Sequence, residues 1–180
     1  MGFFLETLFG GLMVGTLYSL IALGFVLIFK ASGVFNFAQG AMVLFAALAM
    51  ARLADWIPLW TGLTDKALVN MLAFVGATAI MVLVAWLIEK LVLGRLVNQD
   101  GITLLMATIG VAFILDGVGQ TIFGSDIYSI DVGLPKEPIF LFENIFQGGV
   151  LVNQEDLSAA LIAAMLVVLL ALFFQKTSTG

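Results

Sequence analysis

From Thr7 to Phe29 the chain carries no charge, and from Ala31 to Ala51 it again carries none; one cation, Lys30, separates the two stretches. Roughly 20 apolar residues at about 1.5 Å rise cross the hydrocarbon of a bilayer, so each stretch predicts a membrane span. Three more follow, Ala67–Ile88, Gly101–Gly124 and Leu157–Phe174. Lipid offers no partner to an open backbone N–H or C=O, which leaves the helix as the natural state of such segments. The expected fold is therefore all-α, a polytopic transmembrane helical bundle of about five spans. Its second helix is expected to be broken or re-entrant, because Lys30-Ala-Ser-Gly33 and Asn36-Phe-Ala-Gln-Gly40 put polar residues and glycines at its start.

Composition narrows the chemistry. Charged residues are 11% of the chain and hydrophobic ones 62%, whereas soluble domains are about a quarter charged. With no Cys and no His, the chain lacks disulfides, thiol chemistry, the usual general base and the commonest metal ligand. Neither a GxxxxGK[ST] phosphate loop, a GxSxG elbow nor an HExxH pair occurs. Catalytic and metal-binding candidates are accordingly none, and any driving energy must come from elsewhere. The cations are scattered without a basic stripe, which argues against a nucleic-acid partner; the lipid bilayer is the evident one.

Loop charges suggest an orientation. Lys30, Lys90, Arg95 and Lys176 fall on one side if all five segments cross, whereas Arg52, Lys66 and Lys136 fall on the other among many acids. Cations close to span ends favour the cytoplasm, so the N-terminus and the acidic 125–156 segment are expected outside. The run from Arg52 to Gly62, with Pro58, Trp56 and Trp60, reads as an interfacial loop with aromatic anchors. Ile139-Phe-Leu-Phe142 suggests that the external segment is structured and lies on the membrane surface.

Three groups of residues stand out. Gly11, Gly15 and Ser19 recur every four positions and would let a neighbouring helix approach closely, a packing role. Ser32 and Gly33 mark the helix break. Beyond it Asn36, Gln39 and Gly40 would share one helical face, with the two amides either capping a helix or lining a polar path. Asp116 and Gln120, four apart on the fourth span, form a second polar pair. A carboxylate within a span is a functional candidate by default, unless an external vestibule wets it.

The segments GLMVGTLYSLIALGFVLIFKASGVFNFAQGAM and TLLMATIGVAFILDGVGQTIFG resemble permease subunits of ABC importers for branched-chain (hydrophobic) amino acids. The likeness covers essentially the whole chain. It implies a single transmembrane permease domain over 1–180, the N-terminal part of one, with a polar external loop at about 125–156. It further implies a multi-pass protein of the bacterial inner membrane, working with a second permease subunit, two cytoplasmic ATPase subunits and a periplasmic substrate-binding protein. ATP would be used by the partner ATPases, with no cofactor on this chain. Gln39 stands where many relatives carry His, so the resemblance lends no support to a proton-linked role there. Family members run well beyond 180 residues; the resemblance implies that a cytoplasmic coupling loop and later spans are missing, and that these residues alone do not couple to an ATPase. Permeases for urea or short amides share the same motifs, and a non-transporting membrane scaffold or assembly subunit remains an alternative reading of the small-residue ladder.

Overall fold

The structure, a computed structural model, describes residues 2–33, 35–96, 99–124, 126, 138–141 and 150–176. Among these residues it has five long α-helices: α1 (Gly2–Ser32), α2 (Gln39–Thr61), α3 (Lys66–Leu91), α4 (Gly101–Phe123) and α5 (Gln154–Lys176). All five are long and apolar enough to span a membrane. A short 3-10 turn, Leu93–Arg95, follows α3, and two short strands, β1 (Pro138–Leu141) and β2 (Val150–Asn153), precede α5. This is an all-α polytopic bundle with a small antiparallel strand pair attached, β1 and β2 being registered Ile139 to Val152 and Phe140 to Leu151. Most of the 125–156 segment, including its expected place on the membrane surface, lies outside the described residues.

The second span departs from expectation at both ends. Helix α2 starts at Gln39, eight positions later than the uncharged stretch, and runs ten residues beyond Ala51 to Thr61. The late start has two local causes. Gly33 takes φ +71°, a left-handed conformation cheap only for glycine, and its N–H caps α1 on the Phe29 carbonyl at 2.7 Å. Next, the Asn36 side chain accepts the Ala38 N–H at 3.1 Å, a local turn that competes with helix. The late finish corrects the reading of Arg52–Gly62 as a loop. Pro58 lies within the final turns, and the stop is Gly62, whose left-handed backbone donates to the Pro58 carbonyl at 2.9 Å. Arg52 is accommodated because its guanidinium lies over the Trp56 ring, 5.4 Å from the centroid.

Residues Phe25–Gly133 form one compact unit, and Met1–Gly24 with Leu134–Gly180 form another, so α1 contributes to both. In the first, α2 packs on both α3 and α4. Its core is a stripe from each helix: Phe45 and Ala49 of α2, Ala77 of α3, and Val111, Leu115 and Phe123 of α4. Lipid is as apolar as these side chains, so association rests on close packing rather than on the hydrophobic effect. Ala49 and Ala73 are accordingly fully buried, and Gly76 and Gly119 face Leu53 and Phe45 of α2 with no room to spare.

In the second unit Val152, Ala160 and Ala163 are buried, and the Leu151 N–H donates to the Glu6 carboxylate at 3.1 Å. The chain is broken before α2, and α2 itself is continuous from Gln39 to Thr61.

Candidate functional site

The break between α1 and α2 is a built structure. On its α1 side, Phe35 stacks on Phe29 with ring centroids 4.3 Å apart and planes at 18°. On its α4 side, the Phe37 N–H donates to Thr108 Oγ1 at 3.3 Å. Ala38 is buried in the core. Asn36 sits between Phe35 and Phe37, and Gln39 follows Ala38 as the first residue of α2. Asn36 is half-buried; its Oδ1 holds the turn described above, its carbonyl accepts the Gln39 N–H at 3.1 Å, and its Nδ2 lies 3.7 Å from Met42 Sδ, a weak acceptor. Gln39 is half-buried, and its side chain makes no hydrogen bond among the described residues. Gly40 is exposed with open space where a Cβ would stand.

The expected shared helical face of Asn36, Gln39 and Gly40 is therefore corrected: Asn36 precedes the helix and Gln39 begins it. The amides sit at the N-terminal mouth of a full-length helix rather than part-way along one. That position carries the positive end of the helix dipole, and the N–H groups not used by the turn face outward from it. What this arrangement can offer a solute is hydrogen-bond donation, a fit to a carboxylate or carbonyl.

Asp116 and Gln120 are not brought to this place. Asp116 is half-buried with no hydrogen-bond or ion-pair partner among the described residues, and Gln120 is exposed. Thr108, which touches the break, lies two turns back on α4, roughly 12 Å along the axis. An apolar pocket of about 270 Å³ opens between α2, α3 and α4, walled by Phe45, Val84, Ile88, Val111 and Leu115 among others. With essentially no polar atom on its wall, it cannot recognise a zwitterion.

Among the described residues no neighbour of the ladder on α1 stands within 4 Å of a Cβ built at Gly11 or Gly15, and the Ser19 hydroxyl returns to the Thr16 carbonyl of its own helix. The close contacts between helices that the described residues do show are at Gly76 and Gly119. Sequence reasoning also missed Thr108, the one buried polar side chain among the described residues, 2% exposed. A signal was present, since Thr108, Val111, Leu115, Gly119 and Phe123 repeat at helical spacing and form the buried stripe of α4.

A polytopic helical membrane protein with a polar, donor-rich break between its first two spans is the class these features define. The chain belongs to the family described as branched-chain amino acid transport system, permease component, whose sequence model matches residues 7–180. Among curated relatives it is similar to the high-affinity branched-chain amino acid transport system permease protein LivH of Salmonella typhimurium, 25% identical over 91% of this chain and 49% of the relative. LivH of Escherichia coli K12 is 27% identical over 74% of this chain and 42% of its own length. BraD of Pseudomonas aeruginosa, a permease protein of the same description, is 24% identical over 98% of this chain and 57% of its own. The chain thus spans about half the length of the curated relatives it matches. No solved structure matches it.

Proposed function

We propose that this chain acts as a membrane-spanning permease component of an ABC importer that carries branched-chain or other hydrophobic amino acids across the bacterial inner membrane. The observation that carries this reading is the family match over residues 7–180, and three relatives whose names give that substrate class agree with it. In this reading the chain works beside a second permease, two cytoplasmic ATPases and a periplasmic binding protein, and ATP is hydrolysed on the ATPases alone. The break before α2 lies on the solute's path. Asn36 and Gln39 offer amide N–H donors to the carboxylate of the amino acid at the positive end of α2, and Gly40 leaves room for it. Asp116 and Gln120 form a separate polar station farther along α4 and act at another stage of passage.

Uptake of labelled leucine by the complete transporter tests this. Replacing Asn36 and Gln39 together by Leu should leave assembly intact and lower uptake at least tenfold. Undiminished uptake would mean that the amides only cap α2, as a scaffold would use them. Uptake of urea but not of leucine by the unaltered transporter would move the substrate class.

A further inference from the structure

Every serine or threonine hydroxyl whose bonding is described spends its proton on a carbonyl of its own helix: Thr7, Thr16, Ser19, Thr61, Thr78, Thr121 and Ser158 all do so. Thr108 does this too, donating to the Leu105 carbonyl at 2.9 Å. Among the described residues it alone also joins two elements, accepting the Phe37 N–H from 71 positions earlier in the chain. A hydroxyl has one proton and two lone pairs, so these two bonds are compatible and leave the group satisfied at 2% exposure. A valine of the same shape would fill the space equally well but would strand the Phe37 N–H.

The neighbours give that bond its consequence. Phe35 is held by its stack on Phe29, and Phe37 by Thr108, so Asn36 is fixed from both sides. Its Oδ1 then closes the turn that sets where α2, and with it Gln39, begins.

We propose that Thr108 is a positioning residue for transport: its hydroxyl ties the polar break to α4 and thereby holds the Asn36 and Gln39 amides in the geometry that meets the solute. This rests on the reading that the break lies on the transport path. Thr108 touches no solute in this scheme and acts through the Phe37 backbone.

The test compares Thr108→Val and Thr108→Ser in the complete transporter, with two readouts. Hydrogen exchange over residues 35–42 reports the tie directly, and the concentration dependence of leucine uptake reports its use. A hydrogen bond of ordinary net strength is worth roughly fivefold. Thr108→Val should therefore speed exchange at the break about fivefold and raise the apparent KM for uptake by a similar factor, with maximal rate and assembly changed less than twofold. Thr108→Ser should restore both. Unchanged exchange in the valine variant would overturn the tie itself. Faster exchange with unaltered uptake kinetics would overturn the positioning role and leave Thr108 merely structural. Should the Asn36 and Gln39 double variant also transport normally, the transport path is what fails; if that variant is inactive, the failure belongs to Thr108.

Discussion

A Cβ built on Gly119 would stand 3.3 Å from Cδ2 of Phe45, so α4 meets α2 at the distance only a glycine allows without adjustment. The Phe45 ring has little freedom to yield, being set edge-on against Phe123 at 5.3 Å. Gly76 offers a contrast. Its added Cβ would be closer, 2.9 Å, but to the terminal Cδ1 of Leu53, which a rotamer change can move aside. Gly119→Leu should destabilise the α2–α4 contact by about 2 kcal/mol through overpacking. Gly76→Ala should be neutral or slightly stabilising, because the helix-propensity gain of about 1 kcal/mol offsets the small shift. Thermal unfolding in detergent, followed by size-exclusion, checks both; a Gly119→Leu protein that melts with the parent would refute the close packing.

The start of α3 depends on Asp65, whose carboxylate accepts the Ala67 N–H at 3.0 Å. A helix end leaves its first N–H groups unpaired, and loss of an N-cap side chain costs about 1 kcal/mol. Asp65→Ala should lower the unfolding midpoint by a few degrees, while Asp65→Ser, which also caps, should recover most of it. Equal losses in the two variants would assign the effect to charge rather than to the cap.

How far the sequence reached depended on what each feature needed. Spans α1, α3, α4 and α5 are legible because lipid disfavours charge and long apolar stretches mark them, Asp116 in α4 being the one charge inside the four expected stretches. The end of α2 was not legible, since Arg52, Asp55 and Pro58 look like loop residues one at a time. Only the folded chain lays the Arg52 guanidinium over Trp56 and shifts the stop to Gly62. The break at Ser32-Gly33 was visible from its glycine, but not the way the Asn36 side-chain Oδ1 accepts the Ala38 N–H. Thr108 was invisible as a site because a lone threonine is ordinary in a span. Its meaning comes from Phe37, a contact across 71 positions that local pattern cannot encode. The regular ladder of Gly11, Gly15 and Ser19 drew attention, whereas the irregular pair Gly76 and Gly119 makes the close contacts.

The bond from the Leu151 N–H to Glu6 links α1 to an edge of the strand pair. Both residues are at the surface or half-exposed, so its removal should loosen β2 locally without unfolding the bundle. Glu6→Ala should accelerate hydrogen exchange at Leu151 several-fold, in keeping with an exposed hydrogen bond worth roughly 1 kcal/mol. Glu6→Gln keeps an acceptor oxygen and should fall between the two. Exchange at Leu151 that ignores both substitutions would show that the Glu6 carboxylate does not hold β2.

Asp116 decides between two environments. A carboxylate that faces dry helix packing is costly within a span, and its replacement by Leu would then stabilise the bundle. A carboxylate wetted by the solute path has little to gain from the exchange. Asp116 is half-buried on α4 between Leu115, which is buried, and Gly117, which is exposed, a position at the margin of the core. The expected result is therefore that Asp116→Asn and Asp116→Leu leave thermal stability within about 1 kcal/mol of the parent, the range usual for surface substitutions and a little beyond. Leucine uptake should fall in both, and further in Asp116→Leu, since Asn keeps the polarity that a hydrated path requires. A large gain in stability in Asp116→Leu with normal uptake would place the side chain in dry packing and remove it from the path.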